Sequence, residues 1–156
     1  MKNMYFPDED IKENDLYFMC YMIERVARHI HQRNSYVVNK IGKKNLYHLI
    51  SCANVLHCEN PLKVEDDWIR DYQLKTGDHD VTKIDHSLTD KVPTPLEMGE
   101  VYQRLIIDTM SSNEDYVGGI IRVYNNKICE VIDNYNGSAY YEPSYVVARA
   151  YQNGGF

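Results

Sequence analysis

The chain has 156 residues, of which 44% are hydrophobic and 26% charged. A globular chain of this size buries roughly 70% of the surface its unfolded form exposes, so neither wholesale disorder nor dependence on disulfides or metal is expected. The net charge of -6 opposes nonspecific attraction to phosphate backbones, and no run of about eighteen apolar residues exists to cross a membrane as a helix.

Residues 1–13 read as a polar lead-in. They carry Asp8, Glu9 and Asp10 and lack the apolar stretch of a signal peptide, so a cytoplasmic location is expected. Cys20, Cys52, Cys58 and Cys129 follow no framework spacing and are expected as reduced thiols. Asn14 or Asp15 can cap a first helix, along which Leu16, Met19, Ile23, Val26, Ala27 and Ile30 recur at three- and four-residue steps. Asn34-Ser35 starts a second helix through Val37, Val38 and Ile41, and Gly42 ends it. Asn45 starts a third, with Leu46, Leu49, Ile50, Ala53 and Leu56 inward. Asn60-Pro61 stops that helix and starts a fourth, which carries Val64 and Trp68 and ends near Tyr72.

Residues 73–93 change character. Lys75-Thr76-Gly77-Asp78 is rich in turn formers and no period follows, which predicts a linker or loop. Thr94-Pro95-Leu96-Glu97 then combines an N-cap, a proline at the first helical position and a glutamate able to reach back to the cap. Val101, Leu105, Ile106 and Met110 mark the inward face of that helix. The next stretch fits two patterns. Val117, Ile120, Ile121, Tyr124, Ile128, Val131, Ile132 and Tyr135 follow helical spacing, whereas Val117, Gly119, Ile121 and Val123 alternate and Asn125-Asn126 can turn a hairpin. Helix is the first expectation. Pro143-Ser144 opens a final short helix through Tyr151. The expected fold is mainly α, a compact multi-helix bundle of two packed helical units at 14–72 and 94–151, joined by the 73–93 linker. The alternative is α+β with a C-terminal β-hairpin at about 117–133.

Charge and aromatic content are uneven. Residues 1–60 hold 8 Lys/Arg against 7 Asp/Glu, and residues 61–156 hold 9 against 16. The 14 tyrosines outnumber 3 phenylalanines and 1 tryptophan, and many crowd the last quarter, as ring-and-hydroxyl side chains suited to half-buried or interface positions. No phosphate-cradling glycine loop, zincin helix or nucleophile elbow is present. Three weaker groupings remain. His48, Cys52, His57 and Cys58 could supply a metal ligand pair or a thiol–imidazole nucleophile, although His57 and Cys58 point apart on a helix. Asp78, His79, Asp80, Asp85 and His86 crowd one loop but lack the glycine and glutamate of a calcium hand. Arg25, Arg28, Lys40, Lys43 and Lys44 form a basic stretch that could face DNA, though Val37, Val38 and Ile41 claim most of the short second helix for the core.

Two stretches resemble known proteins. Phe18-Met19-Cys20-Tyr21-Met22-Ile23-Glu24 with Ala27, Tyr36-Val37-Val38 with Ile41, Val55-Leu56-His57, and the acidic Glu65-Asp66-Asp67 tail with Ile69 are similar to a bacterial family of small helical domains of unknown function. That family is encoded beside ADP-ribosyltransferase-like toxins. It carries an aromatic residue where Ala53 stands and threonine where Cys58 stands. Gly99, Val101-Tyr102, Arg104-Leu105-Ile106 and Tyr140-Tyr141-Glu142-Pro143 resemble a second small protein of the same kind of operon. The resemblance implies an antitoxin-like or accessory component with a toxin-like protein partner, and it brings no catalytic residues and no cofactor.

The expected function is therefore a non-enzymatic protein-interaction module of unspecified oligomeric state. Tyr102, Arg104, Tyr140 and Tyr141 are its expected contact residues, because buried aromatic and arginine anchors dominate such contacts. The alternatives are a cysteine/histidine enzyme using Cys52 or Cys58, and a DNA-binding autoregulator using the basic stretch.

Overall fold

A computed structural model describes residues 1–156. It is mainly helical, with no sheet and a single isolated bridge between Lys2 and Asp10. In the N-terminal half the helices are α1 (Glu13–His29), α2 (Asn34–Ile41), α3 (Lys43–Ser51), α4 (Ala53–Leu56) and α5 (Pro61–Asp71). In the C-terminal half they are α6 (Pro95–Thr109), α7 (Tyr116–Tyr124), α8 (Ile128–Ile132) and α9 (Ser144–Asn153), with one 3-10 turn at Ala139–Tyr141 before α9.

Start and stop chemistry sets most boundaries. Thr94 Oγ1 accepts from Glu97 N at 3.1 Å with Pro95 in the first turn, as expected for α6. Glu97 does not reach back to the cap but pairs with Lys91 at 3.3 Å. Asn60 Oδ1 accepts from Leu62 N at 3.0 Å and starts α5. The start of α1 differs from expectation: Lys12 is the cap, and Asp15 is the residue that reaches back, its Oδ2 accepting from Lys12 N at 2.8 Å. The expected third helix is broken at Cys52 into α3 and α4.

The hairpin alternative and the single long helix both give way at Asn125-Asn126. Asn125 Nδ2 donates to Ile121 O at 2.7 Å and to Asn39 Oδ1 at 3.0 Å, while Asn126 Oδ1 accepts from Ile128 N at 2.9 Å. The pair closes α7 and opens α8, so one helical repeat becomes two short helices. Short polar side chains compete well with backbone acceptors at such ends.

α1 and α6 form the centre and run antiparallel. Gln103 Nε2 donates to Glu13 O at 2.8 Å at one end, and Arg28 Nη2 donates to Pro93 O at 2.8 Å at the other. Between them a Cβ added to Gly99 would lie 3.0 Å from the Tyr21 backbone, so glycine sets how closely these helices approach. α2–α5 pack around α1, and α7, α9 and the 3-10 turn pack against α6. α2 and α3 also touch α7. Thirty-five buried residues drawn from both halves make one hydrophobic cluster, so the two helical units share a core. No helix is long and apolar enough to cross a membrane.

Residues 73–93 contain no helix but are tied down as a strap. Gly77 N donates to Ile30 O at 2.8 Å and His79 N to His31 O at 2.9 Å. A Cβ at Gly77 would meet His31 O and the Gln32 side chain at 2.7 Å, so only glycine lets the strap lie this close. Further along, Asp85 N donates to Asn136 Oδ1 at 2.6 Å.

Candidate functional site

The face of α6 turned away from α1 builds a groove with the 3-10 turn and α9. It has a volume of about 320 Å3 and is half apolar in its lining. Val101 and Leu105 of α6 and Val147 of α9 line its apolar part, and Tyr140 and Tyr141 form one wall. Glu97, Glu100, Arg104 and Glu142 supply its charges. Tyr140 is buried and packs edge-on against Tyr135 at 5.5 Å and Tyr141 at 4.9 Å between ring centroids. Loss of water around the ring raises the Tyr140 hydroxyl above its ordinary value. Tyr141 is 65% exposed, a large ring left open at the rim.

Of the three glutamates, Glu100 is paired with Arg104 at 3.1 Å and Glu97 with Lys91 at 3.3 Å. Arg104 and Glu100 are both more than half exposed, so that pair adds little to stability. Glu142 has no cationic neighbour within ion-pair distance. The groove thus presents an apolar floor under a rim on which Glu142 is the one unpaired charge.

Of the four expected contact residues, the structure brings Arg104, Tyr140 and Tyr141 together in this groove. Tyr102 is the correction: it is fully buried on the opposite side of α6. Its ring stacks on Tyr124 at 4.5 Å, and its hydroxyl donates to Asp133 Oδ1 at 2.6 Å. The four-residue spacing Met98, Tyr102, Ile106 carries this signal, because it places Tyr102 in the same inward phase as Met98 and Ile106. The same phase leaves Val101 half-buried at the groove. Glu97, Glu100 and Glu142 were missed as site residues, since exposed glutamates on a helix carry no motif.

Behind Tyr102 lies a polar network. Glu24 is 2% exposed, and its Oε1 accepts from the Tyr135 hydroxyl at 2.5 Å and from Arg28 Nη2 at 3.4 Å. The carboxyl of Asp133 is pushed well above the usual carboxylate range, first by its removal from water and then by the nearby Glu24. Burial raises the Tyr102 and Tyr124 hydroxyls as well, and Tyr124 Oη has no oxygen or nitrogen partner, only the Cys20 thiol beside it.

The five basic residues do not form one free face. Arg25 holds Glu65 through Nε at 2.9 Å and Nη2 at 2.6 Å, and Arg28 is occupied in the network above. Lys40, Lys43 and Lys44 remain exposed around the α2–α3 junction. The thiols and imidazoles likewise stay apart. Cys52 Sγ sits 3.7 Å from Ser51 Oγ, and Cys58 Sγ donates to Asn54 O at 3.8 Å. His48 packs edge-on against Tyr5, and His57 against Phe18. Burial pushes the Cys20 and Cys129 thiols up to about 12. In the strap, Asp80 Oδ1 accepts from Thr82 and Asp85 Oδ1 from Ser87, so these carboxylates close local turns. No three His, Cys, Asp or Glu side chains converge as metal ligands anywhere in the chain. No family model, curated protein or solved structure matches the chain.

Proposed function

We propose that the protein is a non-enzymatic interaction module whose α6–α9 groove receives a basic, partly apolar segment of a protein partner. The observation that carries this reading is the composition of the groove: an apolar floor, a wall of two tyrosines and an excess of glutamate over arginine. An apolar residue of the partner would cover Val101, Leu105 and Val147, and a flanking Lys or Arg would meet the unpaired Glu142. Charge placed in this way selects the partner and speeds encounter more than it tightens the complex. Tyr141 and Arg104 are of the residue types that dominate binding energy when a contact desolvates them. The resemblance to operon-encoded companions of toxins makes a toxin-like protein the favoured partner, with occlusion of its site as the mechanism.

The test is coelution with the product of a neighbouring toxin-like reading frame, compared between the native chain, Tyr141→Ala and Glu142→Lys. A complex that forms with the native chain and is lost with both variants supports the groove. Equal binding by all three proteins would remove it, as would a complex in which α6 and the 3-10 turn gain no protection from hydrogen exchange.

A further inference from the structure

Ahead of α1 the chain turns large apolar side chains outward. Met4, Tyr5 and Phe6 follow one another and are 64%, 42% and 45% exposed. Single exposed apolar residues are ordinary, but contiguous ones mark contact surfaces. The loop that carries them is held in place. Asn3 is buried, its Nδ2 donates to Ser51 O at 3.2 Å, and its Oδ1 accepts from Tyr5 N at 3.0 Å and Phe6 N at 2.9 Å. Phe6 O accepts from Glu9 N at 2.9 Å, and Ile11 N donates to Met1 O at 3.0 Å and closes the base. The three side chains are therefore set outward before anything covers them, which lowers the ordering cost of a contact.

The loop lies along α3 and α4 in a fixed order. Tyr5 packs edge-on against His48, Asn3 binds at Ser51, and Glu9 Oε2 accepts from Asn54 Nδ2 at 3.0 Å. Val55, the neighbour of Asn54, is 62% exposed as well. Charge is sorted along the same line. Lys44 stands exposed one turn before His48 on α3, and Asp8 and Glu9 are exposed at the Asn54 end. Lys2 and Lys12 stand at the base of the loop beside Asp10, which leaves Asp8 and Glu9 as its acidic tip. Neither Lys44 nor either of these two acids has an ion-pair partner.

We propose that this surface pairs two copies of the chain about a two-fold axis, with Met4, Tyr5, Phe6 and Val55 at its centre and Lys44 of each copy facing Asp8 and Glu9 of the other. An apolar centre with a free cation at one end and free acids at the other is complementary to itself, and a two-fold contact uses one patch on both sides. Methionine and the aromatic residues are enriched where chains meet. Asp8 and Glu9 repel an anionic lipid surface, the other occupant that exposed aromatic residues suit. None of these residues lines the α6–α9 groove, so the pairing leaves the groove's own contact a separate matter.

Sedimentation of the whole chain over a concentration series, at low and at high salt, tests the pairing. A monomer–dimer equilibrium that weakens as salt rises is expected. Phe6→Ser should weaken it about tenfold or more with an unchanged circular dichroism spectrum, and Tyr141→Ala in the groove should not move it. Lys44→Glu and Asp8→Lys should each weaken pairing. Mixed together, these two variants should form a heterodimer tighter than either forms with itself, because one charge contact is restored with its signs reversed and the other is native. A chain that stays monomeric to about 1 mM, a dimer that Phe6→Ser leaves intact, or a mixture without preference for the heterodimer would overturn the proposal. A monomer whose residues 4–6 are shielded by a different protein would assign the patch to that protein and overturn the pairing equally.

Discussion

Tyr102 and Arg104 lie two residues apart on α6 and do opposite work. Tyr102 faces the core, one turn from the α1–α6 approach at Gly99, where its ring stacks on Tyr124 and its hydroxyl donates to Asp133. Arg104 faces the groove, where its ion pair with Glu100 is open to solvent. The seam holds the fold and tolerates little change. The groove tolerates much and is shaped to be covered. One helix thus separates stability from recognition by about half a turn of rotation.

The contrast is most directly broken at Arg28. Arg28→Met leaves the Glu24 carboxylate enclosed without its cation, and urea unfolding should show a loss of about 3 kcal/mol. Adding Glu24→Gln should recover much of that, since the amide oxygen still accepts from Tyr135. A smaller effect is expected at Gly99. Gly99→Ala gains up to about 1 kcal/mol of helix propensity, but the contact with Tyr21 should make the net change a loss of about 1–3 kcal/mol. A gain in stability there would show that the α1–α6 seam is looser than described.

The stacked pair Tyr102 and Tyr124 sharpens the seam further. Tyr102→Phe removes the donor to Asp133 and should cost about 1–2 kcal/mol. Tyr124→Phe removes a hydroxyl that has only the Cys20 thiol beside it and should leave stability unchanged or raise it by up to about 1 kcal/mol. Asp133 adds a pH dependence of defined sign. Its native carboxyl holds a proton that the unfolded one releases near 3.9. The native state therefore binds more protons, and stability falls as pH rises above about 4 until the raised native value is passed. Asp133→Asn should flatten that slope in unfolding curves collected across pH. The smallest effects belong to the groove: Arg104→Ala and Tyr141→Ala should each shift thermal unfolding by less than about 0.5 kcal/mol, while weakening partner binding.

The helical class and most helix starts were legible because their causes are local. Thr94-Pro95 and Asn60-Pro61 mark helix starts by hydrogen bonds within four residues, and those bonds are present. The Asn125-Asn126 break was not legible, because part of its hydrogen bonding goes to Asn39, far away in sequence. A shared core across both halves was hidden for the same reason: the α1–α6 contact depends on residues separated by four helices and the strap. The groove was partly legible. Arg104, Tyr140 and Tyr141 stand out by residue type, whereas the polar tip of Tyr102 masks its apolar phase. Arg25 and Arg28 looked like free cations for a parallel reason, since Glu65 and Glu24 are acidic partners that only folding, or a helical turn, brings alongside.

The antiparallel seam has a consequence for synthesis. α1 leaves the ribosome well before its partner α6, and at about 5–20 residues per second it waits several seconds for that partner. During that wait Tyr17, Tyr21, Glu24 and Arg28, the side of α1 that later meets α6 and Pro93, stand in water. The carboxylate and guanidinium that are sealed in the finished protein keep this stripe hydrated in the nascent chain.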